Sequence, residues 1–495
     1  MLFNSYEFIF IFLPITFFIY FYLNKKRLTE ASKGFLVFSS LFFYSWWNIA
    51  YLPLILSSML FNYVVGNILA KSGENGDSKK KRKQISRKSI LTVGVIANLG
   101  LLGYFKYTDF LIENINYAFS ADVAMLDLAL PLAISFFTFQ QIAYLVDSYR
   151  RETKEYDFLN YAVFVTFFPQ LIAGPIVHHK EMMPQFANIK TKVINYRNIA
   201  LGLFIFSIGL FKKVVIADTF SVWANAGFDT ATTLNLFEAW ATSLSYTFQL
   251  YFDFSGYTDM AIGLALLFNI RLPVNFNSPY KATNIQDFWR RWHITLSRFL
   301  KDYIYIPLGG NRKGSFRTYN NLMATFVLGG IWHGAGWTFV FWGVLHGLAL
   351  VVHRLWSQYG IKLWTWLAWF ITFNFINIAW VFFRAKEWED AIKVVKGMMG
   401  ISGVIFPERL EIHLALLSSY DFISFGKITT HIGDGSKVLY WILLGVIITL
   451  VSKNSGYFIT KKMNVWFIIL SAGLFSYAIL NSLTSSSQVF LYFNF

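Results

Sequence analysis

The chain has no cysteine among its 495 residues. This absence excludes disulfide bonds, zinc–thiolate sites and a catalytic thiol. A covalent intermediate would therefore need histidine, serine, threonine or a carboxylate. Charged residues are also scarce: they make up 14% of the chain, whereas 56% of its residues are hydrophobic. A soluble protein of this length carries about a quarter charged residues, so this composition indicates a membrane protein.

Apolar runs long enough to cross a bilayer, which takes roughly 20 residues, occur along most of the chain. Candidate spans lie at about 6–23, 35–50, 52–70, 89–106, 125–146, 159–177, 199–217, 236–268, 322–352, 364–383, 437–452 and 464–483. We therefore predict an all-α polytopic protein with roughly ten to twelve membrane helices. No soluble domain and no internal repeat is evident, so residues 1–495 are expected to form a single transmembrane domain.

Positive charge is concentrated between two apolar spans, in the loop at 71–88, although the net charge of the whole chain is +16. Short basic loops stay in the cytoplasm, so this loop and the basic loop at 24–33 predict an N-terminus outside the cell. Basic loops of this kind lie near anionic lipids. We therefore expect membrane lipids, and no nucleic acid, as partners.

The hydropathy becomes irregular between residues 150 and 320, where apolar segments are broken by proline, glycine and charge. Irregular backbone at membrane depth is tolerated only where protein or a water-filled cavity satisfies it. A catalytic core is therefore expected at about 165–353, followed by C-terminal helices at about 364–495. Within the latter, AKEWEDAIKVVKGMMG predicts a short amphipathic helix that ends at a glycine.

Two carboxylates lie in the apolar run FQLYFDFSGYTDMAIG, at Asp253 and Asp259. A carboxylate at mid-membrane costs roughly 2.5–3.5 kcal/mol, so each needs a partner or a wet cavity. Gln249, Asp253 and Tyr257 share one helical face at i, i+4 and i+8, whereas Asp259 faces elsewhere. A paired-carboxylate acid–base site is therefore not expected, and hydrogen bonding between helices is the structural alternative.

Residues 284–314 predict an amphipathic helix at the membrane interface or at a cavity mouth. Asn284 can cap its start, and Arg290 and Arg291 could bind the phosphates of coenzyme A or of a lipid headgroup. A solvated basic face is the alternative for these arginines. His293 is expected to be a hydrogen-bonded histidine at the interface.

Two histidines, His333 and His346, lie in the apolar stretch GGIWHGAGWTFVFWGVLHG. On a continuous helix they would be about 20 Å apart and on different faces. They therefore cannot form a metal pair, and no metal site is predicted. Either could be purely structural, but the glycines around His333 allow close backbone approach or a broken helix, and they leave room for a ligand. Imidazole also suits proton transfer at a hydroxyl or a thioester.

Four motifs in this order resemble the membrane-bound O-acyltransferase (MBOAT) family, and most closely its alginate O-acetylation branch. They are YFDFSGYTDMAIG, FWRRWHITLSRFLKDYIYIPLGGNR, GGIWHGAGWTFVFWGVLHG and WVFFRAKEWEDAIKVVKGMMG. The resemblance implies a helical bundle around a central tunnel or funnel, with re-entrant and interfacial amphipathic helices. It also implies transfer of an acetyl group from cytoplasmic acetyl-coenzyme A, with no tightly bound cofactor, to a polysaccharide outside the inner membrane of a bacterium.

The same resemblance assigns residues and partners. The invariant histidine of the family corresponds to His333, and the second histidine of that motif corresponds to His346. Donor-binding or tunnel-lining residues are then expected at Arg290, Arg291, His293, Asp253, Tyr257, Trp332 and Trp337. His333 would act as a general base or carry the acetyl group itself. A separate periplasmic or extracellular protein of the SGNH-hydrolase type would complete transfer to the glycan.

Three alternatives remain open at this point. Within the same superfamily, the acceptor could be peptidoglycan instead of an alginate-like exopolysaccharide, or the reaction could transfer D-alanine to teichoic acid. In a different functional class, charged residues in broken helices would suit a transporter of small solutes or lipid precursors. The absence of an internal repeat weighs against a transporter, because many transporter folds are built from repeats.

Overall fold

A computed structural model describes residues 1–71, 86–153, 157–433, 435–484 and 490–491. Helices dominate the described residues, which confirms the predicted all-α class. Two short strands, Val404–Pro407 and Ile423–Gly426, pair in parallel with Val404 opposite Ile423. Most of the predicted basic loop at 71–88 lies outside the described residues.

The chain divides into two compact units. The first unit comprises residues 1–209, 257–274 and 462–473, and the second comprises 210–256, 275–461 and 474–495. Two long helices, Leu236–Leu267 and Val465–Thr484, contribute residues to both units.

Eleven helices and helical turns lie wholly within the first unit, as far as it is described: Glu7–Phe12, Leu13–Lys25, Thr29–Ser45, Ile49–Tyr51, Leu52–Lys71, Arg87–Phe119, Ile134–Tyr149, Phe158–Thr166, Phe168–Leu171, His179–Ala187 and Ile189–Lys192. Most of the helix Tyr196–Phe211 also belongs to this unit. Buried amides join its helices where apolar contact alone would leave polar atoms unsatisfied. Asn62 and Asn98 exchange hydrogen bonds of 3.0 and 2.7 Å, and Ser58 donates to Gln141 at 3.2 Å.

The second unit contains the predicted motif region. Its helices and helical turns are Lys212–Ala217, Asp218–Asn225, Ala226–Thr230, Pro279–Lys281, Ile285–Arg291, Ile294–Leu300, Lys301–Tyr305, Ser315–His333, Trp337–Gln358, Thr365–Arg384, Trp388–Met398, Glu408–Leu410, Ala415–Ser419, Gly435–Val451 and Ser455–Ile459. The predicted cap is present, because the Asn284 side chain accepts a hydrogen bond from the Asp287 amide at 2.8 Å.

Among the described residues, seven helices are long and apolar enough to cross a membrane: Glu7–Lys25, Ile49–Lys71, Arg87–Phe119, Tyr196–Thr230, Trp337–Gln358, Thr365–Arg384 and Val465–Leu483. Most of the other predicted spans form shorter or more polar helices. The predicted span at 159–177 is wrong. It breaks at Phe167, which has ψ 107° and precedes the short helix Phe168–Leu171. Pro169 and Pro175 make a continuous helix through this segment unfavourable.

The short amphipathic helix predicted after residue 385 is confirmed as Trp388–Met398. Gly400 has a φ of +75°, a conformation that only glycine adopts without strain. Its amide donates to the Gly397 carbonyl at 2.8 Å, and the Ile401 amide donates to Lys396 at 3.0 Å. These two bonds satisfy the last carbonyls and end the helix.

The predicted span at 322–352 is also wrong as one continuous helix, because it folds back on itself. The helices Ser315–His333 and Trp337–Gln358 are separated by Gly334, Ala335 and Gly336, and we call this pair the histidine hairpin. Glycines allow its two helices to touch. A Cβ atom on Gly343 would lie 2.5 Å from the Phe326 carbonyl oxygen, and one on Gly330 would collide with the Phe339 carbonyl oxygen.

We expect Gly343→Ala to destabilise the second unit by about 1–3 kcal/mol, because the new methyl group must push backbone apart. The matched control is Gly103→Ala, where nothing lies within 4 Å of the added methyl group. Alanine favours helix over glycine by about 1 kcal/mol, so the control should be neutral or stabilising. Thermal unfolding of both variants in detergent measures the difference. Equal stabilities would contradict this account of the hairpin.

Candidate active site

The histidine hairpin brings together two histidines that a continuous helix would hold apart. His333 is the last residue of the first helix, and His346 lies in the middle of the second. Trp342 packs against both rings, with centroid distances of 5.3 Å to His333 and 4.7 Å to His346. The expectation of two distant histidines is therefore corrected, because the helix break reverses the chain between them.

His333 lies in an aromatic cage. Its ring contacts Trp332 at 4.8 Å, Trp342 at 5.3 Å and Phe383 at 5.1 Å between centroids. The residue is 4% exposed. The imidazole is therefore enclosed by aromatic side chains, with little access to solvent.

His346 is fully buried and has a specific partner. The indole N–H of Trp289 donates a hydrogen bond to His346 Nδ1 at 3.2 Å. The two rings pack edge to face at 5.1 Å, and Trp289 also contacts Phe326 at 4.9 Å. Trp289 comes from the helix Ile285–Arg291, so a third helix holds the ring of His346 in place.

The predicted amphipathic helix over 284–314 is interrupted at His293, which has a φ of +42°. The expected hydrogen bond of this histidine is present, and the residue is fully buried within the protein. Its Nδ1 is hydrogen bonded to Asn275 Oδ1 at 3.1 Å, and Phe254 covers its ring at 4.8 Å. Burial lowers the pKa of His293 to about 3, so the ring is neutral at physiological pH.

The two neighbouring arginines differ in their surroundings. Arg291 donates from Nε to both carboxylate oxygens of Asp287, each at 2.9 Å, and from Nη1 to the Asn277 carbonyl at 3.4 Å. Arg290 is exposed. An anionic donor could therefore reach Arg290 without breaking an ion pair, whereas Arg291 braces its own helix.

Asp253 belongs to a buried ion triad, which we define as Lys213, Asp218 and Asp253. The Lys213 ammonium lies 2.7 Å from Asp218 and 2.8 Å from Asp253. Asp253 also accepts a hydrogen bond from the Leu491 amide at 3.0 Å. These contacts correspond to the structural alternative for Asp253, in which the carboxylate joins segments of the unit.

Tyr257 and Trp337 are the two remaining residues of the predicted site. Tyr257 belongs to the first unit, where its ring stacks on Phe3 at 4.8 Å between centroids. Trp337 begins the second helix of the hairpin and is 55% exposed, in contrast to Trp332 at 5%. Trp332 touches His333 in the aromatic cage.

Sequence reasoning missed Trp289, Asn275 and Lys213 as partners of the predicted residues. Trp289 is 57 positions from His346 and Asn275 is 18 from His293, so no local pattern links them. Lys213 did carry a signal, since a charged residue in an apolar run normally implies a partner. Its position in GLFKKVVIAD could have been paired with the carboxylates of the next long helix.

A cavity of about 840 Å³ lies in the second unit, away from the predicted site residues. Its lining is formed by Lys281, Thr283, Leu363, Trp364, Thr365, Trp366, Trp369 and Leu450. The cavity therefore brings together three segments: the chain before Ile285, the connection after the histidine hairpin, and the end of the helix Gly435–Val451.

Comparison with known proteins identifies the family. Residues 41–386 match the family described as MBOAT, membrane-bound O-acyltransferase family. The chain belongs to this family. The acyltransferase is also 51% identical to the peptidoglycan O-acetyltransferase of Helicobacter pylori, in an alignment that covers 100% of this chain and 98% of that protein.

Two further relatives of the acyltransferase mark its wider similarity. The probable alginate O-acetylase AlgI of Pseudomonas aeruginosa is 39% identical over 80% of this chain and 75% of that protein. The teichoic acid D-alanyltransferase of Bacillus subtilis is 27% identical over 52% of this chain and 69% of that protein. The chain is thus a multi-pass membrane acyltransferase, and the transporter alternative is set aside.

Proposed function

We propose that this acyltransferase moves acetyl groups out of the cytoplasm for the O-acetylation of peptidoglycan. The observation that carries the proposal is the 51% identity to a peptidoglycan O-acetyltransferase over essentially the full length of both chains. The alginate O-acetylase relatives are 38–40% identical over 78–80% of this chain. We therefore place peptidoglycan ahead of the alginate-like exopolysaccharide that the sequence motifs alone favoured.

The charge distribution of the second unit supports a cytoplasmic donor. Twelve Lys or Arg residues and two Asp or Glu residues lie in three segments that we call the basic end: 275–317, 354–364 and 452–461. Lys281 donates to the Ser452 carbonyl at 3.0 Å, which joins two of these segments directly. Short basic segments remain in the cytoplasm, so the basic end is the side from which acetyl-coenzyme A would approach.

The opposite end of the second unit lacks this excess of positive charge. Residues 384–433 hold six basic and six acidic residues, and Thr338 donates to the Ala385 carbonyl at 3.3 Å at the start of the hairpin's second helix. His333 precedes that turn of the hairpin, so its ring lies away from the basic end. The acetyl group would therefore travel inwards from the cytoplasmic side to meet His333.

The chemistry needs a base that is not cysteine. In direct transfer, His333 accepts the proton of the acceptor hydroxyl while that oxygen attacks the acetyl carbon, and a tetrahedral oxyanion forms. The carbon–sulfur bond then breaks, and the departing sulfur takes the proton back from His333. In the covalent alternative, the imidazole attacks first, the thiol leaves, and the acetyl group passes from the ring to the hydroxyl.

The proposal includes a partner outside the membrane. A membrane acyltransferase holds the acetyl group within the bilayer, whereas peptidoglycan strands lie beyond it. We therefore propose that a separate extracytoplasmic acetyltransferase, of the SGNH-hydrolase type, receives the group and transfers it to the glycan. The chain itself would sit in the cytoplasmic membrane of the bacterium.

The deciding experiment is a chromosomal deletion followed by chemical analysis of the cell envelope. Base-labile acetate should be lost from purified muropeptides and restored by the wild-type gene. Loss of acetate from a secreted polysaccharide, with muropeptides unchanged, would favour the alginate-like acceptor instead. Loss of D-alanine esters from teichoic acid would favour the third alternative. Either of these two results would overturn the assignment to peptidoglycan.

A further inference from the structure

The two buried histidines of the hairpin have different surroundings, and we infer that they have different tasks. We propose that His346 is a hydrogen-bond donor that uses its Nε2–H to hold the carbonyl oxygen of the acyl group. Trp289 is then the positioning residue that fixes the tautomer with the proton on Nε2. This inference deepens the proposed function, because it rests on acyl transfer taking place beside His333.

The tautomer follows from the chemistry of the Trp289 contact. An indole nitrogen carries a proton and only donates, so His346 Nδ1, 3.2 Å away, must accept through its lone pair. The single proton of the neutral imidazole therefore resides on Nε2. A charged imidazolium would place an N–H group against the indole N–H, so the contact also selects the neutral ring.

The Nε2–H of His346 is then a buried donor that lacks an acceptor among the described residues. His346 has no exposed surface, and a buried donor with an unmet hydrogen bond is destabilising until an acceptor arrives. The indole N–H of Trp342, one helical turn earlier, is likewise buried without an acceptor in the described part of the chain. The two rings lie 4.7 Å apart between centroids, and buried donors of this kind are the complement of an oxygen atom that a bound substrate would bring.

The position of His346 and the course of the proposed reaction both agree with its role as a hydrogen-bond donor. Trp342 separates the rings of His333 and His346, so the donor lies one aromatic ring away from the proposed base. When the hydroxyl oxygen attacks, its proton goes to His333 and the electron pair of the carbonyl moves onto oxygen. His346 donates to that oxyanion and neither gains nor loses a proton.

Activity measurements distinguish a donor from a base at this position. Glutamine can place an N–H group near the site of the histidine Nε2, whereas asparagine is too short to do so. We expect His346→Asn to lower the rate constant of transfer by about 10²–10³-fold, and His346→Gln to retain activity within about 10-fold of wild type. Equal and complete loss in two folded variants would overturn the assignment of a donor.

The positioning role of Trp289 is tested by Trp289→Phe, which keeps one aromatic ring in place but removes the indole N–H and the second ring. We expect kcat to fall about 10-fold or more, with KM for the donor thioester little changed, because the oxygen is held mainly in the transition state. In the His346→Gln background the same change should matter less, since an amide has no tautomer to fix. The exposed Trp466, which lies outside the proposed site and the cavity, provides the control variant Trp466→Phe.

A spectroscopic measurement does not depend on activity. With ¹⁵N-labelled histidine in detergent or nanodiscs, His346 should show an unprotonated Nδ1 and a protonated Nε2, assigned by loss of the signals in His346→Gln. In Trp289→Phe a second tautomer should appear, while the signals of His353 stay unchanged. A protonated Nδ1 in the wild-type protein would overturn the inference whatever the activity. A protein with the expected tautomer and no acyl transfer would instead overturn the proposed function and leave the tautomer assignment standing.

Discussion

His333→Ala is expected to lower acetyl transfer by about 10²–10⁴-fold, because the variant lacks the imidazole that would take the proton of the acceptor hydroxyl. The loss should appear in kcat and not only in KM, since the donor would still bind at the basic end. Transfer is measured with purified protein and labelled acetyl-coenzyme A, and in cells by the acetate content of muropeptides.

Two further variants make this result interpretable. His333→Gln fills more of the aromatic cage than alanine does, so it separates loss of the base from loss of packing. His353→Ala changes another histidine of the hairpin that is not part of the proposed site, and it should leave transfer unchanged. Near-normal acetylation by a stable His333→Ala protein would refute the proposed chemistry.

The same protein can decide between the two routes. Incubation with the donor alone, in the absence of an acceptor, should add one acetyl group to His333 if the ring carries the group covalently. The modified residue would then be found by peptide mass analysis and would be missing in His333→Gln. If the wild-type chain stays unmodified while transfer proceeds with an acceptor present, the histidine acts as a base only.

Lys213→Met is expected to be the most destabilising substitution in the second unit, at about 3–5 kcal/mol. The Lys213 side chain is 1% exposed and is the shared partner of Asp218 and Asp253. Its removal leaves two buried carboxylates without their counter-ion, and their desolvation is then uncompensated. Unfolding in mixed detergent micelles measures the free energy, with yield in the membrane as a second readout.

A rescue experiment shows whether charge is the cause. Adding Asp218→Asn and Asp253→Asn to Lys213→Met removes all three charges, and most of the lost stability should return, because a neutral triad has no unpaired ion. Lys396→Met, at an exposed lysine of the same unit, is the control and should be close to neutral. If the triple variant were no more stable than Lys213→Met, buried charge would not be what makes Lys213 important.

Local signals in the sequence predicted the elements that depend on a few neighbouring residues. The cap at Asn284 and the glycine stop at Gly400 are examples, because hydrogen bonds within a few residues determine both. The break at His293 was missed, and a break at Gly334–Gly336 was only one of the possibilities that the glycines there left open. Glycine is frequent inside membrane helices, so its presence does not reveal whether a helix bends or ends. Close packing between two helices decides this, and packing is a property of the folded chain.

The candidate site was predictable to a similar degree. The family motif pointed to His333, and mid-membrane carboxylates correctly indicated that Asp253 needs a partner. The sequence could not supply the roles of Trp289 and Asn275, since each is defined by a single hydrogen bond to a residue far along the chain. For the same reason the difference between the two hairpin histidines became visible only once their partners were known.

The ion triad also bears on how the chain is inserted during synthesis. Lys213 and Asp218 are five positions apart, so their contact can form as soon as this segment is helical. Asp253 is made later. The Leu491 amide, which completes the hydrogen bonding of Asp253, is made 238 residues later still. The lysine would thus enter the bilayer already neutralised by its local partner, which lowers the cost of passing a charge from the translocon into lipid.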